Sequence, residues 1–215
     1  MKRTIATIGM LGIALLVAVA YVFSRTGDAI EIARAPSQHI AAPEMCPWRN
    51  PSADMKALFP GSDTFETTTI VLSAVRPRIL QRLGKRGFMD TTALYVYPVM
   101  AHSSKVGCVL VQRAPARHGA IEVVVGLDNN NKISGVRIQR QREPDAVAAE
   151  ISHSDWLKSY EGKDGSAPFE IGEDLPNVSA TSLNYAKAIA DAVRMVVIQY
   201  EEGSRGVKLH GKSVL

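Results

Sequence analysis

The longest periodic pattern in the chain is a stripe of apolar residues within positions 183–200. Its members recur at spacings of three and four residues: Ala186, Ile189, Ala190, Val193, Val196, Val197 and Tyr200. The charged residues Lys187, Asp191 and Arg194 fall on the opposite side of the same helical projection. This spacing predicts one amphipathic helix that buries its apolar face.

Shorter apolar runs earlier in the chain predict β-strands. These runs cover residues 93–100, 106–112, 121–127 and 133–139. The polar turn 128–132 joins the last two runs into a hairpin, because Asn and Asp tolerate positive φ angles. Strict alternation there predicts Ile133, Gly135, Arg137 and Gln139 on one face of the hairpin, with Ser134, Val136 and Ile138 on the other.

Two short helices complete the predicted elements. Residues 77–83 carry a proline in the first turn and Gly84 just past the end, which is typical of a helix. Ser154 is a suitable N-cap for a helix over 156–160 that ends near Gly162. The order of elements predicts an α+β fold, an antiparallel sheet with helices packed on one face.

The N-terminal segment predicts export. Lys2 and Arg3 precede an uncharged run, 5–23, of about 19 residues, which at about 1.5 Å per residue approaches the thickness of a bilayer core. Residues 1–23 are therefore expected to form a membrane anchor with the bulk of the chain outside the cytoplasm. The sequence 18–20 has the small-x-small form of a cleavage site, which leaves a signal peptide as the alternative.

The remaining sequence divides at its prolines. Residues 24–50 hold three prolines among small and polar residues, which indicates a linker, and residues 51–215 form the predicted domain. The composition, 46% apolar and 21% charged, suits one globular core. The net charge of +4 is spread along the chain without a basic block, so no nucleic-acid partner is expected.

The two cysteines, Cys46 and Cys108, leave one question open. In an oxidising compartment they could form a disulfide, provided that their Cα atoms lie close enough. No spacing typical of a metal site accompanies them, and the five histidines are scattered. We therefore expect neither metal ligands nor catalytic residues.

The candidate chemistry lies just before the long helix, in the sequence Val178-Ser179-Ala180-Thr181-Ser182. Hydroxyl side chains at this place usually cap the free amide groups of a helix. The same amides, together with the helix dipole, favour a phosphate. A hydroxyl beside a bound phosphate could be esterified by it.

The order of motifs resembles a known family. The strand pair 119–128 and 132–138 is followed by Glu143-Pro144, by Asp155-Trp156-Leu157 and by the segment 178–182. This order resembles the periplasmic FMN-binding domain found in the C subunit of the sodium-translocating NADH:quinone reductase and in the G subunit of the Rnf complex. In that family, a threonine of a Ser-Gly-Ala-Thr motif carries FMN through a phosphoester bond.

What the resemblance implies is an FMN site whose residues can be named. The implied cofactor-binding residues are Ser179, Ala180, Thr181, Ser182, Glu143, Pro144 and Trp156. Thr181 is the implied attachment residue, with Ser182 as a second candidate hydroxyl, and a flavin transferase is the implied modifying partner. The motif departs from the family pattern, because Ser179 replaces the glycine or the glycine is deleted, and Asp145-Ala146 follows Pro144 where a glycine is expected.

The resemblance also implies a function. We expect a flavoprotein of the cytoplasmic membrane, single-pass and facing the periplasm, that relays electrons within a respiratory or redox-driven membrane complex. It would be an electron-transfer subunit rather than a free-standing enzyme. The alternative is a structural or assembly subunit that uses the same fold without flavin, and a third possibility is an independent FMN-dependent reductase.

Overall fold

The computed structural model describes residues 50–62, 64–65, 67–84, 92–152 and 154–205, all within the compact unit Cys46–Leu215. The predicted anchor 1–23 and all but the last residue of the predicted linker 24–50 lie outside these residues. Among the described residues, no helix is both long enough and apolar enough to cross a membrane.

In the described part of the chain, an antiparallel sheet of six strands forms the centre of the domain. The strands are β1 (Thr64–Phe65), β2 (Thr68–Val71), β3 (Ala93–Ala101), β4 (Ser104–Ala116), β5 (Gly119–Asp128) and β6 (Ile133–Arg140). Strands β3 to β6 follow one another as neighbours, and β1 and β2 both pair with β3, at its two ends. The four predicted strands are confirmed, and β4 extends beyond its predicted range at both ends.

Five α-helices accompany the sheet in the described part of the chain. They are α1 (Ser52–Leu58), α2 (Arg76–Leu83), α3 (Asp145–Ser152), α4 (Ser154–Lys158) and α5 (Leu183–Ser204); a 3₁₀ turn, Ser73–Val75, leads into α2. The predictions for α2, α4 and α5 are confirmed, with small shifts at their ends. Helices α1 and α3 were not predicted from the sequence patterns.

Helix α5 covers one face of the sheet and forms the main core with it. Its apolar stripe packs with core residues of β4 and β5 such as Leu110, Val123 and Val125. Val193 is fully buried in this cluster, as the predicted helical face requires. Burial of the stripe stabilises the fold by roughly 25 cal/mol for each Å² of apolar surface removed from water.

The opposite face is also covered, which corrects the prediction that helices pack on one face only. Met55 of α1 packs with Val99, Val109 and Val124, and these strand residues alternate with those that face α5. Glycines make room for the end of α1. A Cβ added to Gly107 would lie 2.8 Å from the side chain of Phe59, and one added to Gly135 would lie 2.8 Å from that of Leu58, which is too close for either to fit.

A bulge in β6 corrects the predicted alternation of the hairpin. Leu127 pairs with Ile133, whereas Gly126 pairs with Gly135, so Ser134 is an extra residue in β6. The extra residue turns Ile133 to the same face as Val136, and both belong to the core under α5. A second register shift lies between Glu122 and Val123, beside the end of β6.

Replacing Val193 tests the assignment of the main core. Val193→Asp should lower the free energy of unfolding by about 4 kcal/mol or more, because it buries an unpaired charge. Urea denaturation of the soluble domain measures the change. Asn184→Asp, at an exposed position of α5, is the matched control and should shift the midpoint little. Equal midpoints for Val193→Asp and the parent protein would show that the buried face is wrongly assigned.

Candidate functional site

The segment before α5 forms a tight turn that presents its hydroxyl side chains at the start of the helix. The amide of Ser182 donates to the carbonyl of Ser179 at 3.1 Å, and the amide of Ala186 donates to the carbonyl of Ser182 at 2.9 Å. Ser182 occupies the N-cap position, yet its side chain makes no capping bond to the amides of the first turn. Those amides therefore keep the positive potential of a helix N-terminus.

A carboxylate from another helix accepts the hydroxyl groups of this segment. Glu150, in the last turn of α3, accepts the amide of Ser179 at 2.7 Å through Oε1. Its Oε2 accepts the hydroxyl of Ser179 at 2.6 Å and that of Ser182 at 2.5 Å. These hydrogen bonds lower the pKa of Glu150, with the Ser179 side chain as the largest cause, followed by the Ser182 side chain and the Ser179 amide. Glu150 is therefore an anion at neutral pH.

The candidate hydroxyls differ sharply in exposure. Ser182 is only 1% exposed and is held by Glu150. Thr181 is exposed, and its Oγ1 lies 2.9 Å from the Oγ of Ser179. Ala180, also exposed, brings no bulk to the turn. Of the two proposed attachment residues, only Thr181 presents its hydroxyl to solvent.

Glu143 lies in a second polar cluster. Its buried carboxylate accepts the amide of His118 at 3.0 Å, and its Oε2 lies 2.6 Å from Nδ1 of the same histidine. Burial alone would raise the pKa of Glu143, but the side-chain and backbone hydrogen bonds from His118, with the nearby positive charge of Arg117, bring it below its usual value. This carboxylate ties the β4–β5 turn to the segment after β6.

Pro144 starts the helix that joins the two clusters. Its carbonyl accepts the amides of Val147 and Ala148, each at 2.9 Å, at the beginning of α3. The structure therefore places Glu143 and Pro144 at one end of α3 and Glu150, with its serine partners, at the other. At 1.5 Å per residue, the two ends of α3 lie about 10 Å apart. The predicted site residues Glu143 and Pro144 therefore lie near one end of α3, whereas Ser179 and Ser182 lie near the other, and the two motifs do not converge on one point.

Tyr185, on the first turn of α5, lies near enough to Glu143 to feel its charge. Its side chain is buried, and burial, with the charge of Glu143 second, raises its pKa. The phenolic oxygen has no hydrogen-bond partner in the described structure. Tyr185, His118 and Glu150 carry no signal in the sequence, since each gains its neighbours only through contacts distant along the chain.

Trp156 lies in the main core. Its indole N–H donates to the carbonyl of Pro176 at 3.3 Å, and its ring meets Tyr160 edge-on, with ring centroids 5.3 Å apart. Tyr160 in turn stacks on Phe169. Trp156 therefore holds in place the segment that leads to Ser179, and the structure does not bring its ring to the surface.

Asp174, the acidic residue upstream of the hydroxyl segment, organises a different turn. Its carboxylate accepts the amides of Glu170 at 2.6 Å and Phe169 at 3.3 Å, and Lys163 lies 3.4 Å away. Phe169, buried in this turn, adopts a positive φ of 53°. The role of Asp174 in this structure is to stabilise that turn.

A groove runs beside the N-terminal half of α5. It has a volume of about 480 Å³, and its wall includes Phe169, Ile171, Leu183, Lys187 and Asp191. Ligand pockets commonly have volumes of about 300–1,000 Å³. The groove thus combines apolar residues with one basic side chain, Lys187, and two acidic ones, Glu170 and Asp191. Leu183, in its wall, is two residues from Thr181 in the sequence.

Of the two cysteines, only Cys108 lies in the described part of the chain. Cys108 is a buried free thiol, and burial raises its pKa to about 11, against the opposing effects of a hydrogen bond with Tyr200 and the charge of Lys105. Cys46 lies outside the described residues. Within the part of the chain that the structure describes, no group of His, Cys, Asp and Glu residues is arranged to hold a metal ion.

Two solved structures resemble the chain in fold. One is the Na⁺-translocating NADH-quinone reductase C subunit from Parabacteroides distasonis ATCC 8503, with 12% identity and a TM-score of 0.46 over 70% of this chain and 82% of that one. The other is NqrC from Shewanella oneidensis, with 13% identity and a TM-score of 0.46 over 74% of this chain and 90% of that one. No protein-family model matches the chain, and no curated protein matches it.

These two structures are of the same reductase component that the order of sequence motifs resembles. At 12% and 13% identity, the likeness concerns the fold alone.

The Glu143–His118 contact gives a pH-dependent prediction. Because the pKa of Glu143 is lowered by folding, its contribution to stability is present above the ordinary glutamate pKa of about 4.3 and is lost as pH falls through the folded-state value. Glu143→Gln should lose about 1–3 kcal/mol of unfolding free energy at pH 7, and this deficit should shrink by pH 3. Urea unfolding at both pH values, with the exposed Glu173→Gln as control, measures it. A deficit that is the same at both pH values would contradict the assignment.

Proposed function

We propose that this chain is an exported, membrane-anchored flavoprotein that carries FMN on Thr181 and relays electrons within a membrane redox complex. The order of its sequence motifs supports this proposal, together with one structural observation. Thr181 places an exposed hydroxyl at the start of α5. The first-turn amides of α5 lie beside it, and the side chain of the N-cap residue, Ser182, leaves them uncapped.

The residues of the site fit an esterified phosphate in two respects. The Thr181 hydroxyl is accessible, as a group modified by another enzyme must be. The adjacent helix N-terminus supplies amide donors and positive potential, which favour the phosphate anion. Glu150 acts in the opposite direction, because its carboxylate is an anion held by Ser179 and Ser182.

The groove beside α5 is a suitable place for the rest of such a cofactor. Phe169 and Ile171 belong to its wall, and the charged residues Lys187, Glu170 and Asp191 line it as well. Charges near a flavin alter its reduction potential, so these three side chains are candidates for tuning it. When bound, FMN supplies the electron-transfer chemistry, and the chain supplies its position and surroundings.

The proposed cellular setting follows from the N-terminus. Lys2 and Arg3 would stay in the cytoplasm, residues 5–23 would cross the membrane, and the domain would face the periplasm. The partners would be other subunits of the complex and, for covalent attachment, a flavin transferase. A carrier of this kind needs no diffusible substrate of its own.

One observation favours a second candidate, a structural or assembly subunit without flavin. The carboxylate of Glu150 already satisfies both the amide and the hydroxyl of Ser179, as a bound phosphate would do. In this alternative, the contact between α3 and α5 is purely structural. The two candidates differ in whether the chain acquires flavin when a transferase is present.

Replacing Thr181 tests the attachment. The full chain, expressed together with a flavin transferase, should gain the mass of one FMN and stay yellow after denaturation. Thr181→Ala should lose this mass and colour while its unfolding free energy falls by about 1 kcal/mol or less, since the residue is exposed. Intact-mass spectrometry and absorbance under denaturing conditions measure both.

Thr181→Ser is the matched control, because it keeps a hydroxyl at the same position and should retain flavin. Flavin that leaves on denaturation would mean non-covalent binding. A well-folded parent protein without flavin would contradict the carrier function and favour the structural subunit.

The anchor has a separate test. If residues 1–23 remain attached, N-terminal sequencing of the mature protein should give the original terminus, and the chain should stay in the membrane fraction after alkaline washing. Alkaline phosphatase fused after the domain should be active, because that enzyme requires the periplasm. A new terminus near Tyr21 would replace the anchor by a signal peptide, and an inactive fusion would contradict export.

A further inference from the structure

Glu150 controls which hydroxyl of the α5 entry is free to react. We propose that it is a positioning residue that holds Ser179 and Ser182 in place, so that Thr181 alone is available for phosphoester formation. This inference rests on the proposed function. It assigns a role to Glu150, which lies in α3, a helix that the sequence patterns did not predict.

The hydrogen-bond directions support this role. A hydroxyl has one proton to donate, and a carboxylate can only accept. At 2.6 Å and 2.5 Å, the short contacts from Ser179 and Ser182 to Oε2 of Glu150 use the protons of both serines, in preference to the longer 3.3 Å contact between their hydroxyls. The 2.9 Å contact between Ser179 and Thr181 is then donated by Thr181. Oγ of Ser179 therefore accepts a hydrogen bond, whereas Oγ1 of Thr181 accepts none among the described contacts.

Burial acts in the same direction. Ser182 is 1% exposed, and its bond to Glu150 directs its hydroxyl toward α3. Ser179 is exposed at its surface, but both its amide and its hydroxyl are engaged by the carboxylate. Thr181 is exposed, and its described hydrogen bond is with Ser179. A modifying enzyme therefore meets one available hydroxyl among three.

The same contacts argue against a role for Glu150 as general base. Hydrogen bonds from Ser179 and Ser182 lower its pKa, which weakens it as a proton acceptor. It also contacts Thr181 only through Ser179. Positioning is the role that these contacts support.

The covalent step balances without a further oxidant or reductant. A bond forms between Oγ1 of Thr181 and the phosphorus of an activated flavin dinucleotide, and the phosphoanhydride bond to a nucleoside monophosphate breaks. The hydroxyl proton leaves to solvent or to the released phosphate. The transferase supplies the activated donor, and Glu150 takes no part in the bond changes.

Glu150→Gln is the variant that distinguishes the hydrogen bonds accepted by Glu150 from the space that its side chain fills. Glutamine has nearly the same shape, but one of its two terminal atoms is a nitrogen that donates. It therefore cannot accept the Ser179 amide at one atom and both serine hydroxyls at the other. The full chain and its variants are expressed with the transferase, and peptide mass mapping locates the flavin. In the parent, we expect flavin on Thr181 only; in Glu150→Gln, at least about one-tenth of it should move to Ser179 or Ser182.

A double variant sharpens the comparison. Thr181→Ala alone should carry no flavin, whereas Thr181→Ala with Glu150→Gln should carry it on Ser182 or Ser179. The exposed Glu173→Gln, which removes a charge elsewhere, should leave the attachment on Thr181. If Glu150 had only a structural role, replacing it would lower the yield of flavin attachment without moving the attachment site.

A measurement without flavin completes the test. In unloaded protein, exchange of the Ser179 amide proton should be at least about tenfold faster in Glu150→Ala than in the parent, because its acceptor is lost. Unchanged exchange would overturn the positioning role whatever the flavin does. Attachment on Thr181 alone in Glu150→Gln would also overturn it, with the carrier function intact. No flavin in the parent protein would contradict the carrier function, and the selection of Thr181 with it.

Discussion

The packing of α5 across β4 and β5 is the interaction on which the rest of this domain depends. The helix buries its apolar stripe against the central strands, and its core includes residues from almost every other element. Because α5 cannot shift along the sheet without losing this burial, the position of its first turn is fixed. That rigidity gives Thr181 and Ser182 defined environments, one exposed and one buried, although they are neighbours in sequence.

Helix α3 adds the second constraint. It begins at the carbonyl of Pro144, beside the Glu143–His118 contact, and ends with Glu150 at the entry of α5. Each end is therefore attached through a carboxylate with a lowered pKa. Acidification should loosen both attachments together, so the region around Thr181 is more sensitive to low pH than the apolar core.

The sequence was sufficient to predict those helices and strands that carry a long hydrophobic pattern of their own. The stripe of α5, from Ala186 to Tyr200, spans about four turns. The strands β3 to β6 carry apolar runs bounded by turn residues, so both kinds of element could be predicted. Helix α1 has seven residues and a single buried one, Met55, and thus too little periodicity to detect. The bulge at Ser134 was hidden because an extra residue changes pairing without changing composition. Glu150 lies 29 positions before Ser179, and only the folded chain brings them together.

The glycines under α1 have a practical consequence for truncated forms of the protein. The strands carry no side chains at the positions against which Leu58 and Phe59 pack, because these positions are Gly107, Gly126 and Gly135. A truncation that removed α1 would uncover backbone and the valines beside it, which is the kind of bare apolar surface that promotes self-association. A truncated version should therefore begin before Ser52, and aggregation of a shorter one would indicate the loss of this cover rather than a defect in the region around Thr181.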